Sequence, residues 1–332
     1  MKTALVTGGG GFLGRSIVRL LIDRGYHVRS FSRTNSGHIQ SPSVEICLGD
    51  LVDPEAIERA GHGCDVIYHV AAKAGIWGSY RDYFSANVIG TRHVLSACRK
   101  NQVRRLVYTS TPSVVYPGGD LEEVNESIPY PRRFEAPYAE TKAIAEQEVL
   151  AANYGDLSTV ALRPHLIWGP GDPHLIPRIV TRARKGKLAC IGSGNNKVDV
   201  IFVENAALAH ILAGESLASA SPQAGKAYFL SQGEPVKLWD FINQILAIYN
   251  VPPVTRRIPT SVAYSIGWMM EGLYRLFPIL GEPPMTRFVA RNLSTAHWFD
   301  ISAAKRDFGY SPMISTAEGL ERLRESLATH PS

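Results

Sequence analysis

The chain has 332 residues, of which 45% are hydrophobic and 20% charged, and its formal net charge is +5. This composition is ordinary for a well-packed globular protein, and no uncharged apolar run reaches the roughly 18 residues of a membrane-spanning helix. The basic residues lack the aromatic interleaving of a nucleic-acid-binding module, so we expect no nucleic-acid partner. The four cysteines lie far apart without C-x-x-C spacing, which favours free thiols and no metal site.

The N-terminus predicts a dinucleotide-binding loop. A short apolar strand over residues 3–6 precedes a glycine-rich turn and an amphipathic helix. Gly8, Gly11 and Gly14 would permit a tight turn, close approach of the backbone to a pyrophosphate, and close packing of helix on strand. The first helical turn, at Phe12 and Leu13, offers free N–H groups to the phosphates. Because the loop begins at residue 7, we expect no signal peptide and a cytoplasmic location.

The end of the second strand, over residues 26–31, indicates which dinucleotide is bound. NAD sites usually have an Asp or Glu here for the ribose 2′-hydroxyl, whereas this chain has Ser32 followed by Arg33. An arginine fork pairs with a 2′-phosphate, so we predict NADP(H) rather than NAD(H). The alternative is that Arg33 is a solvated loop cation. After a third strand over 44–48, Asp50 and Leu51 are placed to contact an adenine edge.

Strand and helix patterns alternate up to about residue 165, which predicts a doubly wound parallel α/β sheet, the NAD(P)-binding Rossmann fold. We expect this domain to span residues 1–167, with later strand and helix returns around 198–230. Residues 168–330 would form mainly a smaller, mixed substrate lobe. Further strands are predicted over 65–70, 105–109 and 159–162, a long helix over 80–100, and loop material over 112–136.

A helix after that loop carries Tyr138 and Lys142, which would lie one turn apart on the same face. A nearby ammonium favours the phenolate, so we expect Lys142 to lower the pKa of Tyr138. The pair would then exchange a proton with a carbonyl or an alcohol. By itself, the Tyr-x-x-x-Lys spacing also fits two ordinary neighbours on a helix surface.

Two segments of the second half have open interpretations. The basic residues between 178 and 187 are most simply the solvated face of a helix. The aromatic and Met-rich segment 264–277 is either a lid over a long-chain substrate that touches a membrane surface, or an amphipathic core helix. Glu271 and Arg275 are four residues apart and could pair on its solvent face.

Taken together, the motifs resemble those of the extended short-chain dehydrogenase/reductase family, in its 3β-hydroxysteroid dehydrogenase-like branch. Besides the glycine loop and the Tyr-Lys pair, the resemblance rests on Asp50-Leu51, Ala71-Ala72, Asn87 with Gly90-Thr91, Thr109-Ser110-Thr111, Leu162-Arg163-Pro164, Trp168-Gly169-Pro170-Gly171 and Phe202-Val203-Glu204-Asn205-Ala206. Segments 71–80, 108–114, 166–172, 225–229 and 306–310 are similar to bacterial members that reduce keto acids in olefin biosynthesis, a branch of lipid metabolism.

The resemblance implies roles for individual residues. Tyr138 would be the general acid, Lys142 its partner and a ligand of the nicotinamide ribose, and Asn87 a support of the proton relay. Thr111 falls where the family has a catalytic serine, with Ser110 and Ser113 as alternative hydroxyls. Further cofactor contacts would be Ala71, Ala72, Lys73, Pro164, Leu166 and Ile167. Trp77, Tyr80, Ser113, Trp168 and His174 would flank the substrate, although each aromatic could equally be core packing.

The expected function is NADPH-dependent reduction of the 3-ketone of a long-chain 2-alkyl-3-oxoalkanoic acid to the 3-hydroxy acid. One alternative is a sterol or 3β-hydroxysteroid dehydrogenase working in the oxidative direction. A second alternative is a nucleotide-sugar epimerase or dehydratase, which the hydrophobic second half of the chain disfavours. A third is a non-catalytic NADP(H) sensor. Expected partners are a lipid-like ketone, a second copy in a homodimer, and a membrane surface or a multi-enzyme assembly.

Overall fold

A computed structural model describes residues 2–277, 279 and 281–329. The first half contains, in chain order, Thr3–Thr7 (β1), Phe12–Asp23 (α1), His27–Ser32 (β2), Val44–Leu48 (β3), Pro54–Gly61 (α2), Val66–His69 (β4), Tyr80–Tyr83 (α3), Gly90–Lys100 (α4), Arg105–Thr109 (β5), Leu121–Val124 (β6), Pro137–Ala151 (α5) and Ser158–Pro164 (β7). A π-helical turn, Phe84–Ile89, joins α3 to α4, and a 3₁₀ helix, Pro112–Val115, follows β5.

The second half contains Ile167–Trp168 (β8), Leu175–Arg184 (α6), Cys190–Ile191 (β9), Lys197–Val198 (β10), Ile201–Phe202 (β11), Val203–Ser216 (α7), Lys226–Leu230 (β12), Val236–Lys237 (β13), Leu238–Ile248 (α8), Arg257–Ile258 (β14), Thr260–Leu276 (α9), Arg287–Asn292 (α10), His297–Phe299 (β15), Ser302–Phe308 (α11) and Thr316–Thr329 (α12).

The predicted doubly wound sheet is confirmed. Seven parallel strands lie in the order β12-β7-β5-β4-β1-β2-β3. The order reverses between β1 and β4, and a crevice for a ligand forms at the carboxyl ends of the strands at such a point. The second half of the chain returns to this layer, because β12 is the edge strand and α7 packs against α1.

Apolar cores fill both faces of the sheet and the second lobe. One core packs α1 and α7 on the sheet through residues such as Ile17 and Ala209, and another packs α2, α4 and α5 through residues such as Ile57 and Val149. The third core lies in the C-terminal lobe around Trp168, which packs edge-on against two phenylalanine rings, Phe202 and Phe241.

A second sheet forms where the sequence predicted only loop. β6, within residues 112–136, pairs in parallel with β15 near the C-terminus, and β15 continues to β10 and β13. The two partners are far apart in sequence, and β6 reads Leu121-Glu122-Glu123-Val124 with little strand pattern. Its conformation therefore comes from long-range pairing rather than from local propensity.

Helix α9, the Met-rich segment, has one buried edge and an exposed apolar face. Ala263, Gly267 and Glu271 are buried, whereas Trp268 and Leu276 are exposed. The predicted pair of Glu271 and Arg275 is confirmed, at 3.8 Å, but its expected position on the solvent face is wrong. The buried Glu271 carboxylate also accepts hydrogen bonds from the main chain and the guanidinium of Arg287. Among the described residues, no helix is long and apolar enough to cross a membrane.

A buried ion pair ties α5 to β7. The Arg163 guanidinium donates to both oxygens of Glu146, at 2.9 and 2.6 Å, and the two side chains are 3% and 0% exposed. The Tyr130 hydroxyl donates a third hydrogen bond to the same carboxylate at 2.6 Å. Since isolated charges are very unfavourable in an apolar interior, each group of this pair depends on the other.

We expect Glu146→Gln to lower the free energy of unfolding by about 3–5 kcal/mol, because it leaves the Arg163 charge buried without a counter-charge. Urea unfolding of wild type and variant measures the loss. The matched control is Glu58→Gln in the exposed Lys100–Glu58 pair, where we expect less than about 1 kcal/mol. Equal losses in the two variants would contradict the interpretation.

Candidate active site

The glycine loop between β1 and α1 has the shape that a pyrophosphate needs. Gly8 adopts a left-handed conformation with φ +71°, and its carbonyl accepts from the Gly11 N–H at 2.8 Å. A Cβ on Gly14 would lie 2.0 Å from the Gly8 oxygen, so no larger residue fits this helix–strand contact. No side chain caps the first turn of α1 at Phe12 and Leu13, which leaves its N–H groups directed at the crevice. These residues therefore fit a dinucleotide.

The segment after β2 is folded over this loop by a histidine that the sequence did not single out. The His38 ring bonds the Ser30 hydroxyl at 2.6 Å and the Ser32 hydroxyl at 2.7 Å. Arg33, which directly follows Ser32, is exposed, and no carboxylate within the described residues forms an ion pair with it. No pattern marks His38 in advance, because it contacts β2 through a loop without regular structure.

At the end of β3, Asp50 is exposed and its carboxylate accepts from the Val52 N–H at 3.2 Å. The neighbouring Leu51 is buried, and its side chain lies where a Cβ on Gly90 would meet it, at 2.9 Å. Asp50 is thus accessible at the carboxyl edge of the sheet, whereas the Leu51 side chain packs inward. The adenine contact predicted for the pair stays a prediction.

His69 connects the glycine loop to the helix that carries Asn87. Its Nδ1 lies 2.8 Å from the Thr7 hydroxyl, and its Nε2 lies 3.0 Å from the Thr91 hydroxyl. Because Thr91 donates its proton to the Asn87 carbonyl at 2.6 Å, it must accept from Nε2–H, and Thr7 donates to Nδ1. Burial lowers the pKa of His69 to about 3, with Lys142 contributing, so the ring is neutral. His69 is therefore a structural link between these two segments.

Asn87 fastens the loop after β4 to α5. Its side chain pairs with both main-chain groups of Lys73, accepting from the N–H at 2.7 Å and donating to the carbonyl at 3.1 Å. The amide also donates to Thr141 on α5 at 3.1 Å. Asn87 is buried within the π-helical turn, a feature that often marks a functional site. Ala71 and Ala72 thereby stand beside the glycine loop, where Ala71 contacts Gly8.

Tyr138, Lys142 and Thr111 meet at the carboxyl ends of β5 and β7. The Lys142 ammonium donates to the Thr109 carbonyl at 2.6 Å and lies over the Tyr108 ring. The nearby Thr111 hydroxyl opposes the rise in the phenol pKa of Tyr138. The Thr111 oxygen also caps the 3₁₀ helix by accepting from the Ser113 N–H at 3.3 Å. A carbonyl oxygen placed beside Tyr138 would therefore meet two hydroxyl groups.

The protonation states differ from those predicted. Burial raises the pKa of Tyr138 to about 12, and Lys142 is not among the groups that act on it. Burial also lowers the pKa of Lys142 to about 7, against a smaller opposing effect of Glu146. The expectation that Lys142 lowers the phenol pKa is thus wrong for the free protein, because a desolvated ammonium bonded to Thr109 is itself only partly charged near neutral pH.

The strand end at Pro164 leads directly into the second lobe. Leu166 has a left-handed conformation, φ +44°, which is uncommon for a branched residue and turns the chain from β7 into β8. Ile167 then pairs with Ile201 of β11. Pro164, Leu166 and Ile167 thus lie at the carboxyl edge of the sheet, where a nicotinamide would lie, with His165 between them.

The candidate substrate residues are not gathered in one place. Trp77 lies beneath the Arg275 guanidinium of α9, 5.8 Å away, and Tyr80 donates to Glu140 at 3.3 Å, so both belong to the loop and helix beside α5. Ser113 is next to Thr111. Trp168 is fully buried in the core of the second lobe, and His174 is an exposed residue at the start of α6.

The parallel sheet, the glycine loop and the Tyr-Lys-Thr arrangement define an oxidoreductase of the extended short-chain dehydrogenase/reductase class. Residues 5–259 match the model of the 3-beta hydroxysteroid dehydrogenase/isomerase family, and the chain belongs to that family.

Three relatives illustrate the range of this similarity. The chain is 52% identical to 2-alkyl-3-oxoalkanoate reductase from Stenotrophomonas maltophilia, covering 98% of this chain and 99% of the relative. It is 35% identical to the decarboxylating sterol-4-alpha-carboxylate 3-dehydrogenase of Mus musculus, covering 98% and 91%. A crystal structure of gox2253 superposes with a TM-score of 0.80 at 27% identity, covering 100% of this chain and 99% of that one.

The pKa of Lys142 predicts how stability depends on pH in the absence of bound ligands. Between about 7, its folded value, and 10.5, its ordinary value, the unfolded chain binds a proton that the folded chain lacks. Stability therefore rises with pH across this window by up to about 1.4 kcal/mol per pH unit from this group. We expect Lys142→Met to remove this increment, as measured by urea unfolding at several pH values from about 7 to 9.5. Lys100→Met, at an exposed site, is the control, and parallel pH profiles for wild type and Lys142→Met would contradict the assignment.

Proposed function

We propose that the protein is an NADPH-dependent ketoreductase that reduces the 3-ketone of a 2-alkyl-3-oxoalkanoic acid to the 3-hydroxy acid. The observation that carries the proposal is the convergence of the Tyr138 and Thr111 hydroxyls at the carboxyl edge of a dinucleotide-binding sheet. The substrate class is supported by the relative that shares 52% identity over nearly the whole of both chains and is named for this reaction.

In this proposal Tyr138 is the proton donor. Its raised pKa, about 12, keeps the phenol protonated at neutral pH, which suits reduction of a ketone. Thr111 holds the substrate oxygen beside that proton. Lys142, fixed on the Thr109 carbonyl, stands one turn from Tyr138 and is available to the nicotinamide ribose. When bound, the reduced nicotinamide supplies the hydride, and the protein orients the ketone against it.

The choice of NADPH rests on the end of β2. Ser32 replaces the carboxylate that would repel a 2′-phosphate, and Arg33 is exposed beside it without a carboxylate partner among the described residues. The His38 contacts with Ser30 and Ser32 fix the segment that follows β2, and this segment approaches Gly10 of the glycine loop. A guanidinium presents two parallel N–H groups to such a phosphate.

A sterol dehydrogenase remains the second candidate, because the mouse relative at 35% identity is named for oxidising a sterol carboxylate. The two reactions share the proton relay and differ in direction and in the shape of the hydrophobic substrate. Either hydrophobic substrate would bind in the apolar second lobe. Measured turnover of the two substrates must therefore decide between the two functions.

We expect Tyr138→Phe to lower kcat by at least about 100-fold on a 2-alkyl-3-keto acid, because the substrate oxygen loses its proton donor. NADPH oxidation is followed at 340 nm with freshly prepared keto acid, and 3-ketosteroids and nucleotide sugars complete the panel. Tyr154→Phe, at an exposed site, should retain wild-type turnover. Full activity of Tyr138→Phe would overturn the proton-donor assignment, and turnover confined to nucleotide sugars would overturn the proposed function.

Arg33→Ala should raise the KM for NADPH about tenfold or more and leave the KM for NADH nearly unchanged, because only NADPH carries the 2′-phosphate. Lys185→Ala removes an exposed charge from the second lobe and serves as the control. Parallel changes in both KM values after Arg33→Ala would show that Arg33 does not discriminate between the two dinucleotides.

A further inference from the structure

An apolar cavity of about 160 Å³ lies in the second lobe, bounded by α6, α8 and α10. Its walls are mainly aliphatic and aromatic, with Leu175, Ile179, Leu238, Phe241, Ile242 and Val289. Leu166, at the turn after β7, and Ile76, in the loop fastened by Asn87, also line it. The cavity therefore begins at the carboxyl edge of the large sheet and extends between helices of the second lobe.

Two histidines, His297 buried and His165 half-buried, interrupt this apolar lining. His165 and His297 both face the cavity, and their rings meet edge to face with centroids 5.6 Å apart. Nε2 of His165 and Nδ1 of His297 are buried, and neither has a hydrogen-bond partner among the residues that the structure describes. His297 is 4% exposed. Buried polar atoms are normally satisfied, so two such nitrogens at one cavity indicate that a ligand supplies the partner.

The surrounding hydrogen bonds define what His297 can do. Thr295 donates its hydroxyl proton to the Arg291 carbonyl at 2.8 Å, so it must accept from Nε2–H of His297, 2.7 Å away. Nδ1 is consequently a bare acceptor. Burial lowers the pKa of His297 to about 4 and that of His165 well below its ordinary value, so both rings are neutral. Neutral His165 carries one N–H and one bare nitrogen. With its proton on Nε2, the two unpaired buried nitrogens offer one donor and one acceptor.

The strand register places His165 at the same edge of the sheet as the proposed catalytic hydroxyls. Thr109 of β5 pairs with Leu162 of β7, so Thr111 and Pro164 continue at the same level of the sheet. Adjacent strands lie about 4.8 Å apart. His165, directly after Pro164, therefore lies at the same carboxyl edge of the sheet as Thr111. A substrate whose ketone lies at Thr111 would have its carboxyl group at this edge too.

We propose that His165 and His297 bind the carboxyl group of the substrate, and that the cavity beyond them holds an alkyl chain. This inference rests on the proposed function and adds two substrate-positioning residues to it. The substrate arrives as a carboxylate and takes up one proton from solvent. One carboxyl oxygen then accepts from the His165 N–H, and the other shares this proton with Nδ1 of His297, which satisfies the bare acceptor. Arg182 lines the same cavity half-buried, and within the described residues no carboxylate forms an ion pair with it, so its charge also favours an acid.

The names of the Stenotrophomonas maltophilia reductase and the mouse dehydrogenase both describe substrates with a carboxyl group. A 2-alkyl-3-oxoalkanoate and a sterol 4-carboxylate with a reacting 3-position each carry the carboxylate on the carbon beside the reacting carbon. The aliphatic and aromatic part of the lining suits a hydrocarbon in each case. The shared feature of these substrates is thus the one that the histidine pair would recognise.

The test compares a 2-alkyl-3-hydroxy acid with its methyl ester, using the full chain and NADP⁺ in the oxidative direction, because hydroxy acids do not decarboxylate on standing. We expect wild type to prefer the acid in kcat/KM by on the order of 10- to 100-fold. His165→Leu and His297→Leu should abolish this preference, mainly through the KM for the acid, while activity on the ester persists. His165→Gln, which keeps an N–H donor, should restore part of the preference.

An unchanged acid-to-ester ratio in His165→Leu and His297→Leu would overturn the inference and leave the ketoreductase proposal standing. Oxidation of a 3β-hydroxysteroid without turnover of either the acid or the ester by wild type would instead overturn the proposed function. NADP⁺ binding and thermal unfolding of each variant report on folding, and the two His165 variants suffice for the comparison if His297→Leu does not fold.

Discussion

The buried pair of Glu146 and Arg163 is the contact on which the geometry of the site depends. Glu146 lies one turn after Lys142 on α5, and Arg163 lies one residue before Pro164 at the end of β7. A single bidentate contact therefore sets both the rotation of the helix that carries Tyr138 and Lys142 and its height against the sheet. The Lys142–Thr109 hydrogen bond then connects the same helix to β5, so three elements share one fixed arrangement.

Desolvation has opposite consequences at the two ends of the proposed substrate site. At Tyr138 it keeps a proton on the phenol, and at Lys142 it favours release of a proton. At His165 and His297 it keeps the imidazoles neutral. A ketone and a carboxyl group would find neutral hydrogen-bond donors and acceptors at these four side chains. Hydrogen bonds of this kind are stronger in such surroundings than in solvent.

Local patterns in the sequence predicted the fold and the cofactor loop well. The strand over 105–109 and the helical stretch over 80–100 have the predicted extents, since glycine spacing and apolar periodicity are properties of short segments. Features that depend on contacts between distant parts of the chain could not be predicted from the sequence. The pairing of β6 with β15, the burial of Glu271 by Arg287 and the meeting of His165 with His297 each join residues that no local pattern relates. The predicted direction of the pKa shift of Tyr138 was also wrong, because burial by distant parts of the chain governs this pKa.

The π-helical turn over Phe84–Ile89 has a consequence for how the protein tolerates insertions and deletions. One extra residue per turn offsets α4 from α3 and leaves Asn87 facing Lys73 and Thr141. Removing a single residue here would let the turn close as an ordinary α-helix and leave α4 nearly in place, because a π-helical turn accommodates one extra residue. The loss would instead fall on Asn87, whose contacts with Lys73 and Thr141 depend on this turn.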